Sequence, residues 1–195
     1  MDLGQIVLAN RSYRRFDGKF PIGMEVLDHL VDLARATPSA ANRQPLRYVL
    51  CTSAAMCARI YDTLAWAAYL PDWRGPQPAE RPTAYIVVLA ESSLAKSPDA
   101  EVDLGIAAQT MLLGAVEKGL GGCMFLSIRR EALAAILGLP ATLSIALVIA
   151  LGRPVETVVL EDLPPGGSVK YYRDGEQRHH VPKRTVAELV HARYA

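Results

Sequence analysis

Between Met24 and Thr37 the apolar residues recur at helical spacing. Leu27, Leu30, Val31 and Ala34 make one face, widened by Val26 and Leu33, and Glu25, Asp28, Asp32 and Arg35 lie opposite. This predicts an amphipathic helix that ends at Thr37, because Pro38 disfavours α geometry in the residue before it. The run Val102–Val116 is apolar on nearly all sides. It predicts a helix buried in the core or in a subunit interface, with Ser97 as N-cap, Pro98 at the first helical position, and Asp99, Glu101 and Asp103 near its positive end. Gly119 and Gly121 are expected to stop it. Arg47–Thr52 and Ala84–Glu91, rich in β-branched and aromatic residues, predict strands, and Ser53–Tyr69 between them predicts a helix. Pro71–Pro82, with four prolines and a glycine, reads as loop, and Leu163–Gly167 as a turn. Cys123–Ile128 and Ser144–Leu151 complete the strands, and Asp2–Ala9, Arg130–Leu137 and Pro182–Arg193 the helices. Helices and strands mix without strict βαβ alternation, so the fold class expected is α+β.

A length of 195 residues fits one domain, residues 1–195, large enough to bury a sizeable core. With 51% hydrophobic and 21% charged residues the composition is that of a globular protein. The beginning M-D-L-G-Q has no basic segment followed by a long apolar one, so no secretory signal is expected. Val102–Val116 is shorter than the roughly 20 residues a bilayer requires, so no membrane span is expected. Cys51, Cys57 and Cys123 are odd in number and lack metal-ligand spacing. They suit reduced core thiols in a cytoplasmic protein better than a disulfide framework.

The net charge is +1, yet it is unevenly spread. The first twenty residues are basic, as are residues 168–184, while the remainder is net acidic. Two local basic clusters suit a small anion better than a nucleic acid, which would ask for a basic face across the whole domain. Common catalytic signatures fail. G-L-G-G-C-M (Gly119–Met124) starts like a dinucleotide fingerprint, but Met124 occupies the last glycine position and the segment follows a helix instead of a strand. There is no G-x-x-x-x-G-K-[ST], H-E-x-x-H or G-x-S-x-G. His179-His180 lacks carboxylate or cysteine partners at ligand spacing, which predicts a solvated or hydrogen-bonded pair and no metal. Difficult chemistry would then fall to an organic cofactor.

Asn10–Asp17 (N-R-S-Y-R-R-F-D) places Arg11, Arg14 and Arg15 within five residues. By itself this fits a turn with solvated arginines, Ser12 capping a backbone group, better than a binding site. Two further segments shift the balance. In Thr37–Pro45 (T-P-S-A-A-N-R-Q-P) small residues allow a flat ligand near the backbone, and Asn42 and Gln44 offer amides. His180–Thr185 (H-V-P-K-R-T) is a second basic cluster. Together they suit a phosphate, held by arginine forks, the Ser12 hydroxyl, and Lys183 or Arg184.

R-S-x-R-x-F (Arg11–Phe16), P-S-x-x-N-x-Q-P (Pro38–Pro45), D-L-G-I-A-A-Q-x-x-L-L-x-A-x-x-x-G-L-G (Asp103–Gly121), L-G-R-P (Leu151–Pro154) and K-R-T-V-A-E-L-V (Lys183–Val190) resemble, in order along nearly the whole chain, the FMN-dependent nitroreductase family. E-R-P-T-A-Y-I-V-V-L resembles its compact single-domain members. The resemblance implies an α+β fold with a mixed central sheet flanked by helices, in an intertwined homodimer with FMN at the interface. It implies that Arg11 and Ser12 contact the phosphate or ribityl chain, and that Arg14 reaches the phosphate or the pyrimidine side of the flavin and tunes it. Pro38, Ser39, Ala40, Asn42 and Gln44 would line the ring from the other subunit. Arg184 with Lys183 would complete the phosphate site, and Phe125, Leu126 and Ser127 would lie near the reactive ring edge. Three positions depart from the family pattern: Asn10 stands where many members have arginine, and Leu46 and Met124 where tryptophan is common.

The activity implied is ping-pong transfer of reducing equivalents from NADH or NADPH through FMN to a small acceptor such as a nitroaromatic or quinone. No residue is assigned as catalytic, since the flavin carries the chemistry. An enzyme of the same superfamily that consumes its flavin, and a non-catalytic binder of flavin or another phosphorylated ligand, are the alternatives. No nucleic-acid or membrane partner is expected.

Overall fold

The computed structural model describes residues 1–94 and 98–195. Ser97, expected as a helix cap, lies outside the described residues. The chain gathers into two compact units, one of residues 1–66 and 75–155, the other of residues 67–74 and 156–195.

The larger unit is a four-stranded antiparallel sheet with helices on both faces. Its elements are α1 (Leu3–Ala9), α2 (Met24–Arg35), β1 (Leu46–Cys51), α3 (Ala54–Tyr61), β2 (Ala84–Glu91), α4 (Pro98–Glu117), β3 (Gly121–Phe125), α5 (Arg130–Leu137) and β4 (Leu143–Gly152), with strand order β1-β2-β4-β3. The period-two alternation of the central strands divides the core. Ile86 and Val88 of β2 and Ile149 and Leu151 of β4 face α2 and α4, burying Leu27, Leu30, Ala108 and Met111. Tyr85 and Val87, with Val148 and Ala150, face α3 and α5, burying Ile60 and Leu133. A register shift between Val88 and Leu89 makes Ala146 the extra residue of β4, and it moves Ile145 from the first core to the second. The sheet's parallel character enters at its β3 edge, where Ser12 forms a parallel bridge with Gly122.

The smaller unit is a three-stranded sheet of β5 (Val158–Asp162), β7 (His179–Lys183) and β6 (Tyr172–Arg173), in that order, with β5 parallel to β7 and β6 antiparallel. Its core is aromatic and ionic. Tyr171 packs between Tyr69 and His179 with centroids 5.0 Å from each, and the buried Arg173–Glu156 pair (3.1 Å) has its guanidinium over Trp73.

Most predicted elements form, with three corrections. The helix expected over Ser53–Tyr69 stops at Tyr61, after which the Thr63 hydroxyl donates to the Ile60 carbonyl and Leu64 bridges Ile128. Gly121 does not end α4. Gly119, at φ +70°, does that, while Gly121 starts β3. The helix expected over Pro182–Arg193 contracts to α6 (Val186–Leu189), and Pro182 lies in β7. Its missing N–H is tolerated because β6 pairs only as far as His180, leaving Pro182 with β5 as its one neighbour.

Of the histidine pair, His179 is buried against Tyr171 and His180 is hydrogen-bonded. His180 sits between Glu161 (Nδ1, 3.0 Å) and Asp174 (Nε2, 3.0 Å), and stacks on Tyr172. Asp174 and then Glu161 raise the His180 pKa above its usual value, so the charged ring contributes stability that is complete below about pH 6.5 and is lost as pH rises through the folded value. Asp174, held low first by His180 and then by Arg178, acts in the other sense at acid pH. Amide exchange in β6 and β7, corrected for chemical rate, is therefore expected to be faster at pH 8.5 than at pH 6. His180→Gln should remove the difference.

Candidate functional site

The arginine loop is fixed to the end of β3 by close backbone approach. The Tyr13 N–H donates to the Gly122 carbonyl at 3.0 Å, and Phe16 bridges Pro154. The two glycines make this possible. A Cβ on Gly121 would lie 2.4 Å from the Tyr13 ring, and one on Gly122 would lie 2.6 Å from the Ala150 carbonyl oxygen. G-L-G-G therefore seats the arginine loop on the sheet edge.

The three arginines separate in role. Arg15 forms a two-pronged pair with Glu80 (2.9 and 2.5 Å), a structural tie that the sequence alone does not reveal. Arg14 donates to the Ser12 carbonyl at 3.2 Å. Arg11 donates through Nη2 to the Val7 carbonyl at 2.8 Å, while its Nε is buried and has no hydrogen-bond partner among the described residues. A buried guanidinium N–H without an acceptor is costly unless an oxygen from outside the chain meets it. That atom fits a phosphate. Asn10 is buried as the C-cap of α1, its N–H on the Ile6 carbonyl.

The Pro38–Pro45 loop is held by a residue whose part in the site the sequence does not announce. Asp103, buried on α4, accepts from the Ser39 hydroxyl (2.7 Å) and the Ala40 N–H (3.0 Å). Ser39 Oγ in turn accepts from the Gln44 N–H at 3.0 Å. Ala41, Asn42 and Gln44 all have φ near +50°, a strained conformation for non-glycine residues that Asp103 holds in place. The only advance sign of this was that Asp103 opens the D-L-G-I-A-A-Q motif. Of the other acids near the helix start, Asp99 pairs with Arg43 at 3.0 Å.

These two clusters stand at opposite ends of the unit. The arginine loop meets Gly122 just after α4 ends at Glu117, whereas Ser39 is tied to Asp103, fourteen residues earlier on that helix, roughly 20 Å away along its axis. One chain does not bring them together. Phe125 is buried, its ring edge-on to Trp66 at 4.6 Å, while Leu126 and Ser127 beyond it are exposed. Leu46 and Met124 pack against the α2–α4 core and also line a cavity of about 510 Å³ with Leu104, Leu126 and Arg130. Lys183 and Arg184 belong to the smaller unit, at the end of β7 and just after it.

The exposed face of α4 carries a short apolar stripe between Glu101 and Gln109, which are exposed as well. Val102 (61% exposed) and Ile106 (37%) flank Gly105, where an added Cβ would meet nothing within 4 Å. Leu3, Val7 and Leu8 of α1 are exposed as well. Among the described residues no helix is long and apolar enough to cross a membrane, and no group of His, Cys, Asp and Glu could hold a metal ion. The three cysteines are buried free thiols.

Comparison with known proteins agrees with this architecture. A protein of Methanothermobacter thermautotrophicus, provisionally named NADH dehydrogenase/NAD(P)H nitroreductase, is 30% identical over 168 residues, which is 84% of this chain and 83% of that protein. The crystal structure of a nitroreductase family protein from Clostridium novyi superposes with a TM-score of 0.66 at 20% identity, covering 79% of this chain and 86% of that one. A protein of Exiguobacterium sibiricum, provisionally called a nitroreductase and solved in complex with FMN, superposes with a TM-score of 0.65 at 17% identity, covering 80% and 90%. The profile of the nitroreductase family matches residues 7–153, which contain the arginine loop, the Pro38–Pro45 loop, Asp103 and the whole central sheet, and the chain belongs to that family.

Proposed function

We propose that this protein is a cytoplasmic FMN-dependent NAD(P)H oxidoreductase, passing reducing equivalents by a ping-pong cycle to a small acceptor such as a nitroaromatic or quinone. In this reading both units of residues 1–195 serve one FMN-binding domain, and two copies of the chain build each site. The observation that carries it is Arg11 Nε, buried without an acceptor beside the Ser12 hydroxyl, in a loop seated on the glycine edge of β3. The FMN in the Exiguobacterium neighbour and the NAD(P)H in the name of the Methanothermobacter relative support it.

When bound, FMN supplies the two-electron hydride chemistry. The chain's residues have the tasks of holding, orienting and charging the site. Arg11 and Ser12 would hold the phosphate or ribityl chain, and Arg184 with Lys183 would complete the phosphate site. Arg14 would place positive charge near the phosphate or the pyrimidine side, favouring an anionic ring. Pro38, Ser39, Ala40, Asn42 and Gln44 of the second copy would line the ring, with Leu126 and Ser127 at its edge and Phe125 packing beneath them. The roughly 20 Å between the loops within one chain favours the two-copy site, and the apolar stripe Val102–Gly105–Ile106 is the surface through which two α4 helices would meet.

The test is a flavin titration. The full chain should bind about one FMN per copy by visible absorbance, and anaerobic NADH or NADPH should bleach it repeatedly without loss of flavin. Arg11→Ala should weaken FMN binding roughly 10- to 100-fold, the equivalent of one charge-assisted contact. The flavin-free melting temperature should not fall, because the one bond lost is exposed and the unpartnered Nε is removed with it. Unchanged FMN affinity would remove Arg11 from the site.

A further inference from the structure

A second cavity, of about 350 Å³, opens within the larger unit on the α3 side of the sheet, lined by none of the residues assigned above to FMN. That volume lies at the small end of the range typical of ligand pockets. Three of its lining side chains carry buried polar atoms with no hydrogen-bond partner among the described residues: Arg81 Nε, Thr83 Oγ1 and the Tyr85 hydroxyl. Tyr85 itself is 1% exposed. Native proteins rarely leave one such atom unsatisfied, and three converging on one hollow mark a place prepared for a polar group from outside.

The chemistry of that group follows from the lining. No aspartate or glutamate lines the cavity, and no ion pair engages Arg81 among the described residues. The Arg81 guanidinium lies flat on the Tyr61 ring, 3.8 Å from its centroid, which fixes the fork while leaving Nε to a ligand. Burial pushes the Tyr85 hydroxyl up, so it stays a neutral O–H donor. Lys19, the other cation of the lining, is exposed to solvent, and the oriented Arg81 guanidinium with two hydroxyls calls for a carboxylate. Phe20, Ile22 and Pro82 supply an apolar wall for the rest of the molecule.

We propose that this cavity is a binding site for a small organic monocarboxylate with an apolar body, separate from the flavin site. The carboxylate accepts from Arg81, Thr83 and Tyr85, and the body lies along the apolar wall. The hydroxyl of Tyr85 then has a cost in the empty protein and a use only with ligand. Tyr85→Phe should consequently raise the melting temperature of the ligand-free chain while weakening the ligand, the reverse of what a hydroxyl serving the fold would do.

Calorimetric titration of the purified full chain with 3-phenylpropionate, its uncharged amide and inorganic phosphate tests this. The acid should bind once per chain, and the amide about tenfold or more weakly, since it lacks the charge. Arg81→Gln should weaken the acid by about tenfold or more, and Tyr85→Phe several-fold with a higher melting temperature in its absence. If Arg81→Gln fails to fold, Tyr85→Phe and Thr83→Val carry the test. Absence of binding, binding that these variants leave unchanged, or phosphate binding more tightly than the acid would each overturn the proposal.

Discussion

Ile106→Glu is expected to yield a folded chain that is monomeric and retains almost no FMN. Ile106 lies on the outer face of α4 between Val102 and Gln109, and no core residue of its own chain depends on it, so a charge there should change the stability of the single chain little. At an apolar contact between two copies the same carboxylate would be buried without a partner, at a cost of about 3–5 kcal/mol. A two-fold contact meets it twice. Each 1.4 kcal/mol weakens association about tenfold, so a dimer would dissociate at ordinary concentrations. Because the arginine loop and the Pro38–Pro45 loop of one chain are at opposite ends of the unit, losing the partner should remove half of each site. Sedimentation velocity and flavin absorbance on the same sample check both parts. Val102→Glu, at a still more exposed position, should behave alike. A variant that stays dimeric and yellow would refute the assignment of this face.

Asp103→Ala should be the most damaging substitution within the chain. It removes the acceptor from the Ser39 hydroxyl and the Ala40 N–H, both part-buried, and releases a loop whose Ala41, Asn42 and Gln44 hold positive φ. Stranding the two donors is expected to cost about 2–4 kcal/mol of stability. The freed loop should relax to ordinary backbone angles, since each strained residue stores about 1–3 kcal/mol. Chemical denaturation and amide exchange over residues 38–45 measure the two effects. FMN affinity and the rate of flavin reduction should fall with them. Asp103→Asn keeps one acceptor oxygen and should recover part of each loss. If exchange in the loop does not quicken in Asp103→Ala, some other contact holds it.

Much of this was readable in the chain. Periodicity located α2, β2 and α5 because each buries one face or both, and burial is what hydrophobic spacing records. It misplaced Pro182–Arg193, where residues suited to a helix start follow a proline that a strand edge accommodates equally well. It also extended α3 past Tyr61, since nothing local announces that Leu64 will bridge Ile128. At the site, the basic and small-residue motifs were legible as types of chemistry. Their physical partners were not. That Glu80 takes Arg15, that Asp103 clamps Ser39, and that Gly121 gives way to the Tyr13 ring are contacts across 65, 64 and 108 positions, which spacing does not encode.

The central claim, a flavin site shared between two copies, is tested most directly by co-expressing two disabled chains. One carries Arg11→Ala with Arg14→Ala and retains its Pro38–Pro45 loop; the other carries Asp103→Ala and retains its arginines. Each alone should purify without flavin. Together, the mixed dimers hold one site in which both halves are intact, so roughly a quarter of the wild-type flavin and of the NAD(P)H-dependent bleaching should return. A mixture as colourless as its parents, with mixed dimers demonstrated by differential tags, would mean that each chain builds its flavin site alone.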